Sequence, residues 1–178
     1  MKFHPTALEG VVSVEPEPRH DERGFLARTY CEHAFAARGL NTRWVQQNHT
    51  STRQKGSVRG MHWQAEPLPE IKLVRCLVGR VLDVIVDVRP NSPTFGKWHA
   101  EELSDENMRA LYIPAGFAHG FQCLEESCEL LYLMSEFFHP DMARGLRCDD
   151  PQIGIAWPLP VINLSLRDAA LPGLDELA

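Results

Sequence analysis

Hydrophobic positions along the chain fall in short runs, not in long amphipathic stripes. From Gly10 to about Trp157, apolar segments of strand length are punctuated by Gly, Pro, Asn and Asp. That spacing predicts an all-β sandwich or barrel with little helix. Strands are expected over residues 42–48, 57–63, 71–78, 81–88, 98–103, 110–113, 117–123 and 128–135, with an extended early segment at 11–14. The 71–78 and 81–88 strands are joined by a tight turn at Gly79 and Arg80, which predicts a hairpin. The clearest helix spans 32–38, rich in Ala and closed by Gly39 as the first residue beyond it. A second brief turn starts at Ser104, which can cap Asn107. From about Pro140 the chain becomes richer in Pro, Asp and Gly, with isolated hydrophobics at Ile153, Ile155 and Trp157. This predicts a wrapping carboxyl segment over 140–178 with short helices. No repeat, low-complexity tract or linker interrupts the chain, so residues 1–178 read as one domain.

Composition narrows the possible partners. At 178 residues the chain can bury a core without disulfides or metals as staples. Its hydrophobic share of 44% and charged share of 24% speak against disorder. A net charge of -6 leaves no basic field for nucleic acid or an anionic membrane, so a phosphate-bearing ligand must be held by a few placed arginines. Five cysteines, an odd number with no C-x-x-C pair, read as small buried thiols of a reducing compartment. Residues 1–10 lack a secretion signal, and no apolar run reaches membrane-spanning length, so a soluble, cytoplasmic protein is expected.

Strand alternation locates candidate chemistry. Gly60, His62 and Gln64 share one face of their strand, and Lys72, Val74 and Cys76 share one face of the next, so His62 and Lys72 can meet inside a barrel. Asp83, Ile85 and Asp87 lie opposite an apolar row of Leu82, Val84, Val86 and Val88. Asp83 thus interrupts a strand that otherwise looks buried, and a buried charge needs a partner. His119 is the candidate. Taken singly, each of these groups is more often a satisfied core or rim residue; their joint occurrence shifts the balance toward a site.

A metal centre fits these residues poorly. The H-x-H pair of metal-binding barrels is missing, because Gln64 stands two residues after His62. Lys72 stands about where a carboxylate ligand would follow, and its ammonium repels a cation. The pocket suits an anion instead. Proton abstraction beside a carbonyl makes such an anion, and it requires a base, a positive group for the enolate oxygen and an acid across the pocket. His62, Lys72 and Tyr132 can fill those roles, with Asp168 available to fix the His62 tautomer. Tyr132 alone is as readily a core-edge aromatic.

The motifs in order are Asp21-Glu22-Arg23-Gly24, Gln46-Gln47-Asn48, Arg59-Gly60-Met61-His62-Trp63-Gln64 and Lys72-Leu73-Val74-Arg75. Asp83-Val84-Ile85-Val86-Asp87-Val88-Arg89, Ser92-Pro93-Thr94-Phe95-Gly96, Ile113-Pro114-Ala115-Gly116-Phe117-Ala118-His119-Gly120-Phe121 and Tyr132 follow. Asp149-Asp150-Pro151, Ile155-Ala156-Trp157-Pro158 and the Asp168 segment close the set. In this order and spacing the chain resembles the dTDP-4-dehydrorhamnose 3,5-epimerase family from about Gly10 to Asp168. The resemblance implies a cupin-type double-stranded β-helix, a jelly-roll barrel with a few short helices. It implies a homodimer that uses no metal or other cofactor and takes a dTDP-4-keto-6-deoxyhexose as substrate. It makes His62 the base, assisted by Asp168, Lys72 the partner of the C4 oxyanion, and Tyr132 the acid on the other face. Asp83 and His119 match a second buried pair in the pocket. Arg23 and Arg59 match diphosphate-holding positions, and Gln47 and Asn48 match positions near the nucleotide or sugar.

Departures from the family pattern keep rival readings open. Leu26, Arg28 and Ala143 replace residues that the family often uses around the nucleotide, and Leu133 replaces a peripheral lysine. Phe138 stands where a second tyrosine is common, which removes a hydroxyl near the sugar. The rivals are a C3-only epimerase of another nucleotide 4-keto sugar and a non-catalytic sugar-nucleotide-binding cupin.

Overall fold

The computed structural model describes residues 1–177; Ala178, the last residue of the expected wrapping segment, lies outside the described residues. The strands are β1 (Lys2–Pro5), β2 (Val12–Glu15), β3 (Arg19–Asp21), β4 (Gly24–Leu26), β5 (Gln46–Thr52), β6 (Val58–Gln64) and β7 (Lys72–Val78). They continue with β8 (Arg80–Asp87), β9 (Trp98–Ser104), β10 (Ala110–Ile113), β11 (Phe117–Cys123), β12 (Cys128–Met134) and β13 (Ala143–Gly145). One sheet has the order β1-β2-β10-β7-β12-β5 and faces a second with the order β13-β6-β11-β8-β9, while β3 and β4 form a separate hairpin. From β5 to β12, every connection except β8 to β9 crosses from one sheet to the other. That traffic makes the molecule an all-β, cupin-type jelly roll with a few short helices.

The crossing pattern corrects one expectation. β7 and β8 are not a hairpin: β7 pairs with β10 and β12, whereas β8 pairs with β9 and β11. Only Gly79 separates the two strands, too short a link for a two-residue hairpin turn. Gly79 takes a φ of +73°, and a Cβ there would sit 2.4 Å from the Ser127 carbonyl. The residue is a corner between sheets, so Lys72 and Asp83 stand on opposite walls.

Apolar residues fill the space between the sheets. Val74, Leu111 and Leu130 from the first sheet meet Val81, Ile85, Phe117 and Phe121 from the second. The outer face of the first sheet is covered by α1 (Glu32–Ala36), whose Phe35 packs among Leu73, Ala110 and Tyr112 with Tyr30 and Trp44 alongside. This helix ends two residues before the predicted limit, and Gly39 beyond it has the expected positive φ. The outer face of the second sheet carries Val84, Val86 and Val88. That row packs against Ile153, Ile155, Trp157 and Leu174 of the carboxyl segment. The same segment adds β13 to the edge of the second sheet by pairing with β6. The edge strand β5 begins four residues later than expected, because its apolar lead, Trp44 and Val45, precedes the paired stretch and the strand itself is polar. The turn at Ser104 forms as expected, with the Asn107 N–H donating to Ser104 Oγ at 3.0 Å. All five cysteines are unpaired, and four are buried; Cys31, ahead of α1, is only partly so, unlike the buried thiol expected. Burial pushes the Cys76 thiol up to about 12, so it behaves as a core hydrophobe. Among the described residues no helix is long and apolar enough to cross a membrane.

Asp87 anchors the corner after β8. Its fully buried carboxylate accepts from Arg89 Nη2 at 2.6 Å, Ser92 Oγ at 2.6 Å and Thr94 Oγ1 at 2.6 Å. Burial alone would raise its pKa; the donors from Arg89, Ser92 and Thr94 outweigh it and hold the group at about 2, below the ordinary 3.8. A depressed carboxylate stabilises the fold above its unfolded pKa and stops doing so as it protonates. Chemical denaturation as a function of pH should therefore show wild-type stability falling between pH 4 and 2 more steeply than in Asp87→Asn. At pH 7 that variant should be less stable by roughly 2–4 kcal/mol, the cost of leaving Arg89 without its buried partner. Equal slopes in the two proteins would contradict this assignment.

Candidate active site

At one end of the inter-sheet space polar side chains replace the apolar core and line a cavity of about 590 Å3. Asn48, Lys72 and Tyr132 enter it from the first sheet, and Arg59, His62 and His119 from the second. Asp168 closes it from α2 (Leu166–Ala169), a short helix capped by Ser165, whose Oγ accepts from the Asp168 N–H at 3.0 Å.

Strict alternation would put Arg59 and His62 on opposite faces of β6. A bulge prevents this. His62 pairs with His119 and Arg59 with Phe121, so Gly60 and Met61 together oppose the single residue Gly120. The strands meet backbone to backbone there: a Cβ on Gly60 would lie 2.5 Å from Gly120 Cα, and Gly60 has a φ of +118°. The extra residue brings both Arg59 and His62 to the cavity.

His62 Nε2 lies 2.7 Å from Asp168 Oδ1, and the Gly60 N–H donates to Asp168 Oδ2 at 3.4 Å. A carboxylate only accepts, so Nε2 carries the proton of the neutral ring and Nδ1 is the free basic nitrogen. Burial lowers the His62 pKa below 6.5; Asp168 pulls the other way, and Lys72 and Arg167 add to the lowering. The imidazole is thus neutral and basic at neutral pH. His119 Nε2 sits 2.8 Å from Asp83 Oδ2, with Asp83 fully buried behind the cavity-lining His119 ring. The His119 ring meets Tyr132 edge to face, with centroids 5.9 Å apart. Burial, with the Asp83 charge adding, pushes the Tyr132 phenol far above its usual range, which keeps it protonated. Lys72 Nζ donates to the His62 carbonyl at 3.2 Å and lies 2.9 Å from Glu70 Oε1.

Arg59 is tied to the rim of β5 through Thr52 Oγ1 at 2.9 Å. Gln64 reaches the cavity wall, but its amide is taken up by the two neighbouring loops, donating to the Leu68 carbonyl before β7 and the Phe137 carbonyl after β12 and accepting from the His139 N–H. Among the described residues no group of three or more His, Cys, Asp or Glu is placed to hold a metal ion.

Three expected site residues do not line the cavity: besides Gln47 and Arg23, Asp83 is fully buried behind His119 and touches the site only through that ring. Gln47 does not line the cavity, because its neighbour Asn48 takes the inward position. Arg23 is 89% exposed on the β3–β4 hairpin, bound to Asp21 Oδ2 at 2.7 Å and away from this cavity. Conversely, Glu70, Arg144 and Arg167 line the cavity without having been anticipated. Glu70 had a readable signal, standing two residues before Lys72 and so on the same face. Arg144 had none, since its place depends on β13 pairing with β6.

Walls equipped in this way can take a proton from one face of a bound molecule and return another to the opposite face, which is the work of an epimerase. The chain belongs to the dTDP-4-dehydrorhamnose 3,5-epimerase family, whose model matches residues 5–176. It is 45% identical over 162 residues to the dTDP-4-dehydrorhamnose 3,5-epimerase of Methanothermobacter thermautotrophicus, covering 91% of this chain and 86% of that one. The 4-keto-6-deoxy sugar epimerase of the novobiocin biosynthetic gene cluster of Streptomyces spheroides superimposes with a TM-score of 0.95 at 37% identity, covering 99% of this chain and 88% of that one. The dTDP-6-deoxy-D-glucose-3,5-epimerase of Legionella pneumophila, solved with dTDP-4-keto-L-rhamnose, gives 0.93 at 38% identity, covering 99% and 96%.

The state of the base can be read directly. NMR titration of the His62 ring should give a midpoint below 6.5. Asp168→Asn should move that midpoint lower still, because the carboxylate is what raises it. A midpoint that rises in the variant would contradict the assigned pairing.

Proposed function

We propose that the chain epimerises a dTDP-4-keto-6-deoxyhexose at C3 and C5, the carbons flanking its C4 ketone, in deoxysugar biosynthesis of the dTDP-rhamnose type. The observation that carries this reading is the entry of His62 and Tyr132 into one cavity from opposing sheets, with the Lys72 ammonium beside them. His62 Nδ1 takes the ring proton, and the electron pair moves onto the C4 oxygen, where Lys72 donates a hydrogen bond to the enolate. Tyr132 then gives its proton to the opposite face of the same carbon, and solvent restores both groups. Each step is redox-neutral and calls for no cofactor. Asp168 holds the His62 tautomer and stabilises the imidazolium.

The dTDP-sugar bound to the Legionella pneumophila relative supports the substrate class. Arg59, Arg144 and Arg167 give the acidic chain a local cationic lining for a diphosphate, and Asn48 can reach the sugar or the base. We read the β3–β4 hairpin as an arm of a homodimer. It carries Arg23 with the exposed Phe25 and Leu26, and a second copy's cavity would give these residues a place. Sedimentation as a monomer under conditions where the nucleotide sugar is turned over would sink this part. Five unpaired thiols suit a reducing cytoplasm.

One observation favours a narrower activity. Phe138 lines the cavity and offers no hydroxyl, which points to inversion at C3 alone. Incubation of dTDP-4-keto-6-deoxyglucose in D2O, followed by NMR, separates the readings. Deuterium at C3 and C5 supports the double epimerase, and deuterium at C3 alone the single-site one. Affinity without exchange would make the chain a binding cupin. His62→Ala should slow exchange by about a hundred- to ten-thousand-fold while leaving dTDP binding intact; exchange at the wild-type rate would remove His62 as the base.

A further inference from the structure

Lys72 is not the only charge buried on its wall. Glu70, on the run into β7, has a side chain only 7% exposed, with Oε1 2.9 Å from Lys72 Nζ. Its other oxygen, Oε2, is buried with no hydrogen-bond partner.

Two other buried carboxylates mark a contrast, whereas Asp83, with Oδ1 likewise unpartnered and Oδ2 against His119, shares the pattern of Glu70. Asp87 ties down the corner after β8 through Arg89, Ser92 and Thr94. Asp150 accepts the backbone N–H groups of Gln152 and Leu174 and fastens the carboxyl segment. Glu70 fastens no backbone; among the described residues its one polar partner is the ammonium. Burying a carboxylate with half of its acceptors unused is unfavourable for the fold, so its presence is explained by what it does to Lys72.

An ammonium has three donors on a flexible four-carbon stem. Here one reaches the His62 carbonyl at 3.2 Å, and Glu70 Oε1 holds the same nitrogen from 2.9 Å. The hydrogen bond to the carbonyl and the ion pair with the carboxylate hold the nitrogen at the edge of the cavity, which both residues line. We propose that Glu70 is a positioning residue for Lys72, a carboxylate that pins the ammonium by pairing with it so that one N–H is already aimed when charge develops on the substrate oxygen. A donor set in advance needs no reorganisation in the transition state, and this is where its catalytic effect comes from. The inference rests on the reading of Lys72 as the enolate's partner.

A double-mutant cycle tests it, using Glu70→Gln, Lys72→Gln and the double variant, with deuterium exchange into dTDP-4-keto-6-deoxyglucose as the readout. Glu70→Gln should lower kcat for exchange by about tenfold or more, with KM changed by less than about twofold. The double variant should be no slower than Lys72→Gln alone, because Glu70 acts only through the ammonium. Glu70→Asp, which keeps the charge, should exchange faster than Glu70→Gln. Multiplied losses in the double variant, a wild-type rate in Glu70→Gln, or loss of dTDP binding in Glu70→Gln would each overturn the proposal. A wild-type rate in Lys72→Gln would instead overturn the reading of Lys72 itself.

Discussion

Everything in the cavity depends on how closely two strands approach at Gly60 and Gly120. A Cβ on either residue would collide with the other strand's backbone, at 2.5 Å from Gly120 Cα in one case and 2.7 Å from the Arg59 carbonyl in the other. With hydrogens in place of side chains, β6 and β11 close up and absorb one extra residue as a bulge. Three features follow from that single contact. Arg59 joins His62 on the cavity face, His62 comes opposite His119, and the Gly60 N–H is free to hold the second oxygen of Asp168. A larger residue at either glycine would separate these groups together, since strand register is shared by all of them.

Around that contact the charges are arranged in pairs, as a water-poor interior requires. His62 is paired with Asp168, His119 with Asp83, and Lys72 with Glu70. Two of the pairs present a group to the cavity, the free nitrogen of the neutral His62 imidazole and the Lys72 ammonium, and the third backs the Tyr132 phenol, kept protonated by burial, through the His119 ring. These are the elements of acid-base chemistry on a carbonyl compound, and they come from opposite sheets because the chain crosses between the sheets from β6 to β7 and again from β11 to β12.

The sequence made much of this legible, for definite reasons. Strands with strong apolar patterns, such as β10 and β11, have the limits that the pattern predicts. The alternation that grouped Lys72 with Val74 and Cys76 holds because β7 pairs in regular register with β12 over those residues, and the need of Asp83 for a partner is met by His119. What could not be read depended on long-range pairing. Alternation alone gives no sign of the bulge at Gly60, and a glycine between two strands looks the same whether the chain folds back or crosses to the other sheet. The polar edge strand β5 has too few apolar residues to fix its own start. Arg144 owes its place to β13, whose partner lies some eighty residues earlier in the chain.

Catalysis by this site requires one imidazole and one ammonium to converge on the same carbonyl of the bound sugar. The most direct measurement is a crystal structure of the chain with a dTDP-hexose in the cavity. Lys72 Nζ should lie within hydrogen-bond distance of the C4 oxygen, and His62 Nδ1 should face a ring carbon next to C4 with Tyr132 across the ring. A sugar bound with C4 turned away from Lys72, or a tightly held metal ion between the two side chains, would contradict it.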